Sequence, residues 1–268
     1  MQRDFTLKTY EQLLLAFHRA GYTFLNYEQY LTLKTLPAKF VILRHDVDRD
    51  APTALRMAQT EQRVFAEAGN GSSTYYFRYV KTSNQPHIIR EIALKGMEIG
   101  YHYEDMDWAK GDTDKAYQHF TEWLDYFRQY YPVRTVCMHG SPRSPWDAKD
   151  LWKTHNYRQL GLIGEPYFDT DFKSVFYLTD TGRCWDGNRY SVRDNVPQMQ
   201  DEWLSKGWIY HSTDDIIKAL AENKFPEKAL LTAHPNRWHN DLIGWTKEAV
   251  LQTLKNQIKK LIVKKNQK

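Results

Sequence analysis

The sequence predicts an α/β fold, a barrel or barrel-like sheet in a single domain over residues 1–268. Three observations point there. Short runs rich in β-branched and aromatic residues recur at 40–43, 74–77, 97–100, 133–136, 161–164, 175–178 and 229–232. Helical periodicity fills the intervals between them, and such alternation gives a mostly parallel sheet covered by helices. The length of 268 residues, against about 150 for an ordinary domain, suits one barrel-sized unit, with no repeat or low-complexity linker to mark a boundary.

The first twenty residues carry Asp4 and Glu11 and read as an amphipathic helix over 7–20 rather than a signal peptide. Ala54, Met57, Ala58, Glu61 and Phe65 share one helical face behind Pro52, which sits near a first turn. Phe120, Leu124, Phe127 and Tyr131 repeat the spacing, as do Val250, Leu254, Ile258 and Leu261 in a C-terminal helix over 246–264. A hydrophobic share of 41% with 26% charged residues supplies enough apolar area to exclude disorder for the bulk of the chain. No stretch approaches the roughly eighteen apolar residues of a membrane span. Two cysteines, Cys137 and Cys184, make neither a disulfide framework nor a four-thiolate zinc site, and a cytoplasmic protein is expected. Of the net charge of +4, the last fourteen residues hold six lysines and no acid. The body is therefore close to neutral, without the basic face that nucleic-acid binding needs. That tail reads as a solvated helix end, with weak contact to an anionic membrane surface as the other reading. Nothing in the sequence fixes an oligomeric state.

In a parallel α/β fold the functional groups lie just past the C-terminal strand ends. Here those positions read Arg44-His45-Asp46-Val47-Asp48, Tyr101-His102-Tyr103-Glu104, Cys137-Met138-His139-Gly140 and Ala233-His234-Pro235. Residues i and i+2 of an extended chain point the same way, so Asp46 and Asp48 project together, as do His102 and Glu104. A divalent ion on one of the two aspartates leaves the other as a base; capping of the following helix is the structural alternative. Histidine with carboxylates makes an N/O site suited to zinc, iron, cobalt or nickel. Pro235 restricts His234 to extended conformations, which fixes the direction of an imidazole able to protonate a leaving group. His139-Gly140-Ser141-Pro142 fits a ligand, a substrate contact or a turn equally well.

These residues, in this order, resemble the polysaccharide deacetylases of the NodB-homology type, carbohydrate esterase family 4. Leu43-Arg44-His45-Asp46-Val47-Asp48 is similar to that family's first motif, with one residue set between the two acids. Glu98-Ile99-Gly100-Tyr101-His102 is similar to the second motif up to its first histidine, and Leu230-Leu231-Thr232-Ala233-His234-Pro235 to the last. His139-Gly140-Ser141-Pro142 stands in the place of the third motif, without its arginine. The resemblance runs from about residue 38 to about residue 236 and implies a distorted (β/α) barrel of the glycoside hydrolase/deacetylase type. It further implies Asp46 as base, Asp48 and His102 as ligands of a divalent metal, zinc foremost, and His234 as acid. Met106 stands where the family has its second histidine ligand, and a thioether is a poor substitute. Glu104 is expected as the third ligand because its spacing from His102 is set locally; His139, from a neighbouring strand end, is the competitor. Arg44, His139 and Trp238 are expected substrate contacts, with a backbone N–H near His139 as an oxyanion donor.

The resulting expectation is a metal-dependent hydrolase that removes an N-acetyl group from an amino sugar or from a sugar precursor of a surface polysaccharide. The alternatives are other carbon–nitrogen hydrolysis, a metal-free variant, or an inactive carbohydrate-binding protein that uses Trp203, Trp208, Trp238 and Trp245 as stacking platforms.

Overall fold

The structure is a computed structural model describing residues 3–141, 144–185 and 195–266; Pro142 of the third motif and the last two residues of the lysine-rich tail lie outside it. Among the described residues one parallel sheet holds β1 (Thr23–Leu25), β2 (Phe40–Val47), β3 (Thr74–Phe77), β4 (Glu98–Tyr103), β5 (Val136–Met138), β6 (Phe176–Thr179) and β7 (Lys228–Ala233). The order is β5-β4-β3-β2-β7-β6, and β1 pairs with the first half of β2. β2 is buried along all of its length, with β3 on one side and β7 on the other. The helices are α1 (Leu7–Arg19), α2 (Tyr27–Thr32), α3 (Ala51–Glu67), α4 (Pro86–Leu94), α5 (Asp105–Trp108), α6 (Thr113–Arg128), α7 (Pro166–Asp169), α8 (Gln200–Ser205), α9 (Thr213–Ala221) and α10 (Leu242–Asn266).

The helix starts follow from local chemistry. Thr6 accepts from the Thr9 amide at 3.0 Å to cap α1, and Asp112 does the same for α6 through Lys115. Ser212 and Asp215 form a reciprocal capping box at α9. Asp50 caps α3 from a left-handed backbone (φ 63°), with Pro52 inside the first turn, so the acid that caps is Asp50, which leaves Asp46 and Asp48 for other work.

Strand registers sort the side chains into two faces. Arg44 pairs with Thr74 and Thr232, Asp46 with Tyr76, Tyr76 with Gly100, Thr74 with Glu98, and His102 with Cys137. These positions share the inner face of the curled sheet, because paired residues of parallel strands point the same way. The odd-numbered residues of β2 face the helices: His45 meets Glu61 of α3 at 2.6 Å and packs edge-on against Tyr10 of α1. Gly100 is required where it stands, since a Cβ there would lie 2.3 Å from the Tyr76 ring and 2.8 Å from the Thr135 carbonyl oxygen. The bare position lets the Tyr76 ring cross the interior and bring its hydroxyl within 2.9 Å of Thr135 Oγ1.

The strand expected at 133–136 begins only at Val136, and two further expectations change. The run at 161–164 forms no strand; Gly164 makes a single bridge to Thr135, and Gly161 ends a 3₁₀ turn in the left-handed region. β5 and β6 therefore end the pairing order, and the sheet is a half-barrel. In α10 the expected apolar stripe is exposed at Val250 (56%) and Leu254 (60%), while Glu248 and Gln252 are buried. The helix docks by its polar side, where Glu248 pairs with Arg49 at 3.0 Å and Asn256 donates to the Gly182 carbonyl at 2.9 Å. No described helix is long and apolar enough to cross a membrane.

Candidate functional site

The end of β2 delivers two carboxylates with different surroundings. Asp46 is buried and gripped by Arg44, two residues earlier on the same face, through Nε at 2.8 Å and Nη2 at 2.6 Å. Such a bidentate pair fixes the plane of the carboxylate. Among the described residues no guanidinium bonds the Asp48 side chain. Its Oδ1 is buried without a hydrogen-bond partner, although the side chain as a whole is 24% exposed. Two imidazole nitrogens approach that oxygen, His102 Nε2 at 3.4 Å and His139 Nε2 at 3.4 Å.

Each imidazole is oriented from behind. The His102 ring donates from Nδ1 to the Cys137 carbonyl at 2.9 Å, and the His139 ring from Nδ1 to Glu104 Oε2 at 2.9 Å. Glu104 is itself held by Arg78, whose Nε and Nη2 reach it at 2.6–2.9 Å while Nη1 donates to the Asp48 carbonyl at 3.1 Å. Arg78 thus ties the ends of β2, β3 and β4 together. Burial favours a neutral Asp48, but His139 and then His102 and His234 hold its carboxyl well below the usual range. Burial likewise opposes a charged His102, yet Asp46 and Asp48 raise its pKa above the ordinary value. Glu104 is partly desolvated, and the His139 hydrogen bond together with Arg78 lowers its pKa.

A second group stands at the ends of β6 and β7. His234 is buried, its amide donates to Asp180 Oδ2 at 2.9 Å, and its Nδ1 lies 2.7 Å from Asp180 Oδ1. Arg237 and the Trp238 indole N–H complete the Asp180 shell at 2.5 Å and 2.8 Å. Burial disfavours the charge, but Arg237 and His234 outweigh it and lower the Asp180 pKa. With Nδ1 engaged, Nε2 is the ring atom turned away from Asp180. The charge of His234 is among the causes that lower the Asp48 pKa.

Several expected residues take other positions. Glu104, expected as the third ligand, has its oxygens occupied by Arg78 and His139 Nδ1, so His139 is the residue whose nitrogen approaches Asp48. Arg44, expected at the substrate, is 1% exposed and spent on Asp46. Trp238 is 0% exposed, packed edge-on against Phe5 and Tyr10, and presents no face to a sugar. Trp203 and Trp208 pack on Phe176, and the Trp245 indole donates to the Asp4 carbonyl at 2.6 Å. The amide of His139 donates to the Tyr103 carbonyl at 2.8 Å and is not an oxyanion donor. Met106 lies in the hydrophobic core. Sequence reasoning missed Asp180, Arg78 and Arg237; the strand-end rule applied to the runs at 74–77 and 175–178 would have found the first two.

The spacings around Asp48 Oδ1 suit a divalent ion. A tetrahedral ion with bonds of about 2.0–2.2 Å sets its ligand atoms roughly 3.3–3.6 Å apart, and the two contacts at Asp48 Oδ1 are each 3.4 Å. An oxygen that is buried and unpartnered, facing two imidazoles whose other nitrogens are already anchored, is the arrangement a bound cation completes. Among the described residues, Asp46, His102 and Cys137, all buried, bring ligand atoms within 4.8 Å of one another.

No family model and no curated protein matches this chain. Among solved structures it is similar to a CE4 family pseudoenzyme from Bacillus anthracis and to a mutant of that protein with restored enzymatic activity. Both comparisons give a TM-score of 0.38 at 12% identity over 82% of this chain. The match spans 60% of the wild-type chain and 62% of the mutant chain, so it leaves well over a third of each outside.

Proposed function

We propose that the chain is a metal-dependent hydrolase that removes an N-acetyl group from an amino sugar or a sugar precursor. The observation that carries this reading is the orphaned Asp48 oxygen, set between His102 and His139 and beside an arginine-held Asp46. Asp48, His102 and His139 are the ligands in this reading. A divalent ion of borderline hardness, zinc foremost, suits that N₂O set and would polarise the amide carbonyl and lower the pKa of a water.

The chain's own residues do the rest. Asp46, held in orientation by Arg44, accepts the proton of the attacking water. His234 gives a proton from Nε2 to the departing amine, while Asp180 at Nδ1 stabilises the imidazolium that does so. Glu104 and Arg78 hold the His139 ring in register without touching substrate. The test is acetate release from N-acetylated sugars and their nucleotide-linked precursors, before and after chelation. Release that stops on chelation and returns with zinc or cobalt is expected. Zinc-loaded protein that releases no acetate from any of them contradicts the reading.

A further inference from the structure

His102 stands where two sets of metal donors overlap. On its solvent side are Asp48 and His139, at the more exposed end of the cleft. On its inner side are Asp46 and Cys137, and all three of these inner residues are buried, with ligand atoms inside 4.8 Å of one another. The register makes this grouping strict. Cys137 of β5 is paired directly with His102 of β4, so both side chains enter the same face. The Nδ1 bond to the Cys137 carbonyl turns Nε2 forward, where it lies 3.7 Å from Asp46 Oδ2.

Resting on the reading of Asp48, His102 and His139 as the hydrolytic set, we propose that Asp46, His102 and Cys137 form a second, inner metal position that takes soft divalent cations such as cadmium. Ligand softness separates the two positions. The outer set offers nitrogen and oxygen only, whereas the inner set adds sulfur, the ligand that soft ions prefer. Charge acts in the same direction. Arg44 sits on both Asp46 oxygens at 2.8 Å and 2.6 Å and repels any incoming cation. Only an ion that gains a sulfur bond offsets that repulsion, because a thiolate and the Asp46 carboxylate together neutralise a dication. The thiol, whose hydrogen goes to the Met138 carbonyl at 3.6 Å, loses its proton to solvent as the sulfur–metal bond forms.

Because His102 belongs to both sets, the cleft holds one ion at a time. An ion in the inner position takes Asp46, the base of the proposed reaction, so soft cations inactivate the chain by displacing the ion they resemble rather than by adding a second. Substrate has no part in this exchange.

The test is titration of the metal-free full-length protein with cadmium alone, read by the ultraviolet thiolate-to-cadmium charge-transfer band and by equilibrium dialysis. One equivalent is expected to bind and the band to appear. The band should vanish in Cys137→Ala, persist in Cys184→Ala and His139→Ala, and be reversed by excess zinc. Zinc binding by Cys137→Ala shows that this variant retains its fold. Cadmium that binds without the band, or a band that survives in Cys137→Ala, overturns the inner position alone. Two equivalents bound at once overturn the exclusivity. Failure of both cadmium and zinc to bind overturns the hydrolytic ligand set as well.

Discussion

Asp48 and Asp46 are two residues apart on one strand end, yet their neighbours differ. Asp46 has its positive charge already, from Arg44; the Asp48 side chain is approached by the imidazoles of His102 and His139. Asp46→Asn is therefore expected to bind zinc as the parent does and to lose about 10²–10⁴ in turnover, the usual worth of a positioned base. Asp48→Ala is expected to lose zinc, and equal loss in Asp46→Asn and Asp48→Ala, by equilibrium dialysis, would show the roles to be shared. The same comparison separates His139 from Glu104. His139→Ala removes a nitrogen that faces Asp48 and is expected to abolish stoichiometric zinc binding. Glu104→Gln removes only the anchor of Nδ1 and should weaken zinc by about 10–100-fold while leaving it bound. A Glu104→Gln protein that binds no zinc, beside a His139→Ala protein that does, reverses the assignment. Local spacing favoured Glu104 in the sequence because i and i+2 share a face. What spacing could not convey is that Arg78, from a different strand end, takes up Glu104 and leaves it to orient the histidine.

The strands explain which parts of the site were legible. β2, β4 and β7 lie where their patterns put them, because continuous buried runs ending in charged residues have few other placements. β1 was missed, as three residues carry too little pattern. The run at 161–164 was mistaken for a strand because Leu162 and Ile163 between glycines look like one; the positive φ of Gly161 turns the chain instead. Below the site, Glu98 of β4 accepts from Thr74 Oγ1 at 2.7 Å and the Glu28 amide at 2.9 Å, and Thr135 donates to its other oxygen. Burial nevertheless dominates and pushes its pKa up to about 7 from 4.5. The unfolded chain gives up this proton near pH 4.5 and the folded chain near 7, so the group's effect is absent below 4.5 and destabilises progressively up to about 7. Above that the cost is on the order of 3 kcal/mol. Glu98→Gln, which keeps the shape and can donate to Thr135, should gain stability over the parent at pH 8 and gain none of this increment at pH 4. Denaturant midpoints at both values check it; a difference independent of pH would mean that the carboxyl is not the titrating group.

Across the whole molecule, the rear wall of the site is closed by the start of the chain. The Phe5 carbonyl accepts from the His239 amide at 3.1 Å, Asp4 accepts from the Thr213 amide at 2.9 Å, and the Phe5 ring packs against Trp185 and Trp238. Trp238 in turn donates to Asp180, so the first described residues stand behind the His234 pair although more than two hundred positions separate them in sequence. No periodicity encodes a contact of that range, which is why Trp238 read as a sugar platform. The inner face is the opposite case. Its polar ladder follows from period-two alternation on adjoining strands, and Asp46, Asp48, His102 and His139 are joined there by direct contacts or one shared neighbour. The central claim is that Asp48, His102 and His139 hold the hydrolytic ion. A crystal structure of the zinc-loaded protein, with anomalous scattering measured at the zinc edge, tests it most directly. The account predicts one anomalous peak about 2.0–2.2 Å from Asp48 Oδ1, His102 Nε2 and His139 Nε2, with Glu104 still on His139 Nδ1. A peak ligated by Glu104 in place of His139, or no peak among these residues at full zinc loading, would contradict it.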